Sequence, residues 1–136
     1  MKVVIIDGQG GRLGQLLTEE VKKACPGIDL LAIGTNSIAA AAMLKAGAQH
    51  CAMGENPVIV ACRDADVIIG PIGILAADSM YGEVTPAMAT AIGQSSAIKL
   101  LVPLNVSRCN NRVVGVKDLS MAELVKETAE QLKQLL

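Results

Sequence analysis

Short apolar runs alternate with amphipathic segments along most of this chain. The runs are rich in Val, Ile and Leu and end at glycine or polar residues, which is typical of strands that are buried on both faces of a parallel sheet. Strands are therefore predicted over five segments, at residues 2–6, 30–33, 48–52, 66–69 and 98–104.

The amphipathic segments between these runs have the spacing of helices. Over residues 12–24, apolar side chains recur three and four positions apart and charged residues occupy the other positions, as on a helix with one apolar face. Capping residues indicate where the other helices begin. These are predicted over residues 38–45 after a cap at Asn36 or Ser37, 58–63 after Asn56 and Pro57, 86 to about 94 after Thr85, and after the Ser120 and Glu123 capping box.

This alternation of strands and helices predicts a single α/β domain over residues 1–136, with three layers and a mainly parallel sheet. Ligands of such sheets bind beyond the carboxyl ends of the strands, where the strand order reverses. In this chain those ends are followed by residues 7–14, 34–37, 70–83 and 105–112.

A β-hairpin is also predicted before the last helix. Its strands would be residues 102–107 and 113–116, with the turn at residues 109–111. Arg108 and Arg112 would clamp an anion if this hairpin folded over the site. The alternative, which we favour, is a solvated turn.

The densest glycine cluster lies between the first predicted strand and the first predicted helix. Gly8 would form a tight turn, and Gly10 and Gly11 would let an anion reach backbone N–H groups at the positive end of the helix. Gly14 would let that helix pack closely on the strand. The alternative is a glycine-rich turn that only connects the two elements. The predicted cofactor-binding residues of this loop are Gly8, Gln9, Gly10, Gly11, Arg12 and Leu13.

Residues 2–75 resemble the first half of a dinucleotide-binding Rossmann domain, especially at VVIIDGQGGRLG and ADVIIGPIG. The whole chain is also similar to a family of short bacterial proteins of unknown function, at DGQGGRLG, IGTNSIAAAAMLKAGA and VIIGPIGIL. The first resemblance implies a Rossmann-like fold with NAD(P) as cofactor, and the second implies the fold without an activity. Two functions follow: a minor oxidoreductase, or a non-catalytic sensing or regulatory module that binds a nucleotide or another phosphorylated metabolite.

The end of the second strand departs from the NAD-binding pattern, in which an acidic residue there holds the adenosine ribose. Asp29 stands at the beginning of this strand, and Gly34, Thr35 and Asn36 stand at its end. These neutral groups would bind a 2′-phosphate or a plain ribose, which inclines the prediction toward NADP.

Asp7 stands directly before the glycines, where its carboxylate would repel a bound phosphate. Arg12 would relieve this repulsion by pairing with it, or Mg²⁺ would bridge it to phosphate oxygens. We favour a third interpretation, in which the carboxylate accepts backbone N–H bonds within its own turn.

The connection over residues 70–84 is longer than most connections in α/β folds, which favours a functional loop. Asp78 and Tyr81 are the candidate catalytic residues, as a base and as a donor to a carbonyl, with Ser79 and Glu83 as further polar groups. The alternative, which we favour, is a surface loop with a turn at Tyr81 and Gly82. The predicted cofactor contacts here are Gly70, Pro71 and Gly73.

Composition narrows the class of function. Twelve Lys and Arg residues against thirteen Asp and Glu give a net charge of −1, and Tyr81 is the only aromatic residue, so nucleic acid is not an expected partner. With no apolar run of roughly 18 residues and no secretion signal, we expect a cytoplasmic protein that is not bound to membranes. The four cysteines lack Cys-x-x-Cys spacing, so reduced thiols and no metal site are predicted. A homodimer or higher homo-oligomer would bury part of the apolar surface.

Overall fold

The computed structural model describes residues 1–104 and 112–136, and the sheet within them has five strands. The strands are β1 Lys2–Asp7, β2 Asp29–Gly34, β3 His50–Met53, β4 Val67–Pro71 and β5 Ile98–Val102. All neighbours are parallel, in the order β3-β2-β1-β4-β5. The strands predicted from the apolar runs are confirmed, and the fold is a Rossmann-like three-layer α/β sandwich.

Five helices within the described ranges connect or follow these strands. They are α1 Arg12–Ala24, α2 Ser37–Lys45, α3 Glu55–Ala61, α4 Pro86–Gln94 and α5 Met121–Leu135, with a short 3-10 helix at Ile72–Leu75 after β4. The predicted caps at Asn36, Thr85 and Ser120 are confirmed, because each side-chain oxygen accepts an N–H bond from the first helical turn. None of the helices within the described residues has the length and apolar character needed to cross a membrane.

Helix α3 begins earlier than predicted. Its first residue is Glu55, and the residue before it is Gly54 with φ of 99°, so Asn56 is not its cap. Proline is tolerated throughout the first turn, because the N–H groups there have no partner within the helix. Pro57 therefore marks the first turn of α3 but not its start.

The helices cover the two faces of the sheet and bury a separate core on each. Helix α1 packs against α2 and α5 on one face, and α3 packs against α4 on the other. Alternate residues of β1 enter the two cores, with Val3 and Ile5 on the α1 side and Val4 and Ile6 on the α3 side. Burying a side chain of this size contributes about 1.5–3 kcal/mol, so β1 is stabilised by packing on both of its faces.

The prediction of a second hairpin strand is wrong. Residues 113–116 form no strand in the structure, and a turn at Val114 and Gly115 takes their place. Val114 is exposed and Gly115 has φ of 83°, so this apolar stretch turns through solvent instead of pairing with a sheet edge. The first predicted hairpin strand, residues 102–107, is also not formed as predicted, because β5 ends at Val102 and residues 103–104 continue no strand. Residues 105–107, the predicted turn at residues 109–111 and Arg108 lie outside the described residues.

The strand order reverses between β1 and β4. From β1 the chain continues to β2 on one side, and from β4 it continues to β5 on the other, although β1 and β4 are neighbours. The loops that leave these two strands therefore separate from each other and leave a crevice at the carboxyl edge of the sheet.

Candidate functional site

The glycine loop joins β1 to α1 by a tight turn. Gly11 donates to the carbonyl of Gly8 at 3.0 Å and its own carbonyl accepts from Gln15 at 2.8 Å, so Gly11 is the residue before the first turn of α1. Its φ of 74° lies in the left-handed region, which glycine adopts without steric cost. Gln9 also lies in this region, with φ of 50°.

Three of the four glycines are required by the protein's own packing. A Cβ built at Gly11 would lie 2.7 Å from the Cα of Ala39 in α2, and one at Gly14 would lie 2.8 Å from the Cβ of Asp7. A Cβ at Gly8 would meet the Oγ1 of Thr35 at 2.4 Å. The close packing predicted for Gly14 is confirmed. The absence of a side chain at Gly11 lets α2 pack against it, and Gly11 as a contact for an anion stays a prediction.

Gly10 differs from the other glycines of the loop. Apart from Gly10 and its two neighbours in the chain, no described residue has an atom within 4 Å of a Cβ built there, and Gly10 is exposed. No described side chain therefore obstructs a ligand that approaches the backbone at Gly10.

Asp7 is buried behind the loop, with 5% of its surface exposed. Its Oδ2 accepts from the backbone N–H of Gly14 at 2.7 Å, in the first turn of α1. Burial raises the pKa of Asp7 and outweighs the N–H bonds from Gly14 and Gly8 that lower it, while the nearby charge of Glu83 raises it further. The interpretation that we favoured for Asp7, a carboxylate bonded within its own turn, is confirmed.

Other N–H groups at the start of α1 face no acceptor. Across residues 1–104 and 112–136, the backbone N–H groups of Gly10, Arg12 and Leu13 donate to no protein atom. The first N–H groups of a helix have no partner within it and carry the positive end of its dipole. These three groups can therefore bind an anion.

All three residues border a cavity of about 1000 Å³ at the switch point between β1 and β4. One wall is formed by Asp7 and the glycine loop, and the other by residues 71–73 and 75–81. Leu104, Val113 and Met121 contribute apolar surface beside them. The predicted site residues that this cavity brings together are Gly8, Gln9, Gly10, Gly11, Arg12, Leu13, Pro71, Gly73, Asp78 and Tyr81.

The two candidate catalytic residues lie at the rim. Asp78 is exposed, and Tyr81 is exposed over 98% of its surface. Their side chains make no hydrogen bond to the described residues. Both have positive φ, 65° at Asp78 and 57° at Tyr81, as does Met80 at 56°. Such backbone costs about 1–2 kcal/mol per residue, and the surrounding hydrogen bonds, including Asp78 N–H to Val84 O at 2.7 Å, maintain it.

The residues predicted at the end of β2 do not border the cavity. Thr35 Oγ1 and Asn36 Nδ2 donate instead to Oε1 of Glu83, at 2.8 and 2.6 Å, and the backbone N–H of Gln9 donates to the same oxygen at 2.8 Å. Burial raises the pKa of Glu83, but these three bonds outweigh it and the net pKa lies below the usual glutamate value.

Two further predicted contacts, Gly34 and Gly70, are packing glycines. A Cβ at Gly34 would lie 2.4 Å from the backbone nitrogen of Ala40, and one at Gly70 would lie 2.4 Å from the carbonyl oxygen of Ile6. Both therefore serve the approach of neighbouring protein backbone. Arg112 is exposed and does not border the cavity.

The three cysteines within the described residues do not border this cavity. Cys25 and Cys62 are buried free thiols, and the Sγ of Cys51 donates to the carbonyl of Ala40 at 3.1 Å. Burial raises the pKa of all three. Cys109 lies outside the described residues. Among those that are described, His, Cys, Asp and Glu side chains form no group of three that could hold a metal ion.

Comparisons with known proteins concern the whole chain. A solved structure described as "An arsenate reductase in the phosphate binding state" is similar, with 18% identity, a TM-score of 0.49, and coverage of 98% of this chain and 97% of that chain. No curated protein matches the chain. The model of the family described as "Domain of unknown function (DUF3842)" matches residues 2–136, so the chain belongs to that family.

Proposed function

We propose that this protein binds the phosphate group of a small nucleotide or phosphorylated metabolite at the start of α1. The observation that carries the proposal is that the N–H groups of Gly10, Arg12 and Leu13, three residues that border the cavity, donate to no acceptor in the described chain. Phosphate oxygens accept such bonds, and the α1 dipole adds about 0.3–1 kcal/mol of attraction.

The surrounding charges support an anion at this position. Arg12 borders the cavity and is exposed, so its guanidinium can reach a bound phosphate. Asp7 does not compete for the three N–H groups, because its Oδ2 accepts from Gly14 behind the loop. A phosphate at Gly10 would therefore meet donors first.

The size of the cavity, about 1000 Å³, suits a ligand larger than phosphate alone. Sites for small molecules and cofactors usually measure about 300–1000 Å³. A nucleotide or a phosphorylated metabolite is thus the ligand class that we propose. NAD(P) stays a prediction, which the binding experiment below includes.

Binding without chemistry is the function that the geometry supports best. The exposed Asp78 and Tyr81 side chains at the rim are not assembled with a hydrogen-bonded partner in the described chain. General acid–base catalysis needs such groups within hydrogen-bond reach of the reacting atoms. Oxidoreduction stays a prediction, and turnover of NADPH with added carbonyl compounds would test it.

The experiment is calorimetric titration with inorganic phosphate, AMP, ATP and NAD(P). Gly10→Leu fills the space beside the open N–H groups, and we expect it to weaken binding about tenfold or more, equivalent to ~1.4 kcal/mol. Gly27→Leu is the matched control, because a Cβ at Gly27 also meets no described atom within 4 Å and Gly27 does not border the cavity. Equal affinities in the two variants, or no binding by the unmodified protein, would refute the proposal.

A further inference from the structure

The carboxylate of Glu83 occupies the position just beyond the end of β2. Its Oε1 accepts hydrogen bonds from Gln9 N–H, Thr35 Oγ1 and Asn36 Nδ2, all within 2.6–2.8 Å. One donor belongs to the loop after β1 and the other two follow β2. Glu83 therefore ties together the two loops between which a dinucleotide would lie.

Side chains of the segment that carries Glu83 also pack against Gly8. A Cβ built at Gly8 would lie 2.7 Å from the Sδ of Met80 and 3.1 Å from the Oε1 of Glu83, in addition to its contact with Thr35. On the other side of the loop, Gly10 meets no described atom within 4 Å. The loop is thus covered by protein on the β2 side and accessible on the cavity side.

Hydrogen bonds within the loop of residues 73–84 also fix the position of Glu83. The N–H of Glu83 donates to the carbonyl of Met80 at 3.2 Å, and Val84 exchanges two backbone bonds with Asp78 and Ser79. Ser79 is buried and its hydroxyl donates to the carbonyl of Gly73. Glu83 is therefore presented by a hydrogen-bonded loop, and moving it requires the loss of several contacts.

An extended dinucleotide needs the position that Glu83 occupies. In dinucleotide-binding Rossmann domains the adenosine ribose lies beyond the end of the second strand, with the pyrophosphate on the glycine loop. A pyrophosphate at the N–H of Gln9 would compete with the Glu83 carboxylate for this donor, and the two negative charges would repel each other. A ligand on the cavity side meets neither obstacle.

We propose that Glu83 is a specificity-determining residue, which closes the β2 side of the glycine loop and restricts the site to phosphorylated ligands that lie on the β4 side. This inference rests on the proposed function, because it assumes a phosphate at Gly10. Glu83 acts by excluding ligands that extend toward β2, and it makes no contact with the ligand that binds; exclusion of competing ligands is a common source of specificity.

The experiment compares binding of inorganic phosphate and of NAD⁺ by calorimetry. We expect the unmodified protein to discriminate against NAD⁺, and Glu83→Ala to raise the affinity for NAD⁺ relative to phosphate by about tenfold or more. Glu83→Gln keeps most of the side-chain volume and removes the charge, so its effect should be in the same direction and smaller. Glu130→Ala, on the exposed face of α5, is the matched control and should leave the ratio unchanged.

The outcomes separate the two proposals. If phosphate binds but Glu83→Ala leaves the ratio of the two affinities equal to that of Glu130→Ala, the role of Glu83 is overturned and phosphate binding stands. If phosphate binds to none of these proteins, the proposed function fails and this inference fails with it. Circular dichroism establishes folding, and if Glu83→Ala does not fold, Glu83→Gln decides by the same ratio.

Discussion

Asp7→Asn tests the electrostatics behind the glycine loop. In the folded protein Asp7 is 5% exposed and bonded to Gly14, and burial raises its pKa. A carboxyl group whose folded pKa is raised binds its proton more tightly in the folded state. The free energy of unfolding therefore falls as the pH rises from the ordinary Asp value of 3.8 to the raised value, and it is constant above that window.

The change in the free energy of unfolding has an upper limit, because Asp7 binds only one proton. One ionising group changes the free energy of unfolding by at most about 1.4 kcal/mol per pH unit, which is 2.303RT at room temperature. Asn at position 7 does not ionise, so the variant lacks this slope. The quantity to follow is the free energy of unfolding of Asp7→Asn minus that of the unmodified protein. We expect this difference to increase as the pH rises from 3.8 to the raised pKa of Asp7, and to be constant above it.

The assay is urea denaturation at a series of pH values, for the unmodified protein, for Asp7→Asn and for Asp29→Asn. The last makes the same substitution at an exposed position and controls for the loss of one charge. A mismatched hydrogen bond from the new amide changes the difference by a constant, so only the slope is diagnostic. A difference that decreases with rising pH would refute the reasoning, because the N–H bonds and the α1 dipole would then outweigh burial.

The fold was predictable because its signals are local. Apolar runs identified all five strands, and caps at Asn36, Thr85 and Ser120 identified three helix starts within a few residues. The predicted second strand of the hairpin, at residues 113–116, was wrong for a related reason. Apolar β-branched residues favour a strand only where a neighbouring strand accepts them, and residue patterns do not show whether an edge is accessible.

The position of the candidate site was predictable, but what lies against it was not. Glycine spacing before α1 identified the loop, because a tight turn and a helix start are local features. The atoms that approach each glycine come from distant parts of the chain: Ala39 against Gly11, and Glu83 against Gln9 across 74 residues. No spacing rule connects such positions. Only the structure therefore distinguishes the accessible Gly10 from glycines that serve packing.

Two further substitutions test charge and packing. Hydrogen bonds lower the pKa of Glu83 despite its burial, so its ionised form stabilises the fold, and that stabilisation is lost as the pH falls below the ordinary value of 4.5. Glu83→Gln should therefore lose less stability than the unmodified protein on acidification in urea denaturation, and parallel profiles would contradict this. Gly70→Ala would place a methyl group 2.4 Å from the carbonyl of Ile6 in the adjacent central strand, which cannot move without disturbing the sheet, so we expect a loss of about 1–3 kcal/mol. Gly93→Ala is the control, at a position of α4 where the new Cβ contacts no described atom beyond its own helix and chain neighbours within 4 Å. It should instead increase the free energy of unfolding, by at most about 1 kcal/mol. Equal melting temperatures for the two variants would show that the approach of the Ile6 backbone does not require glycine at position 70.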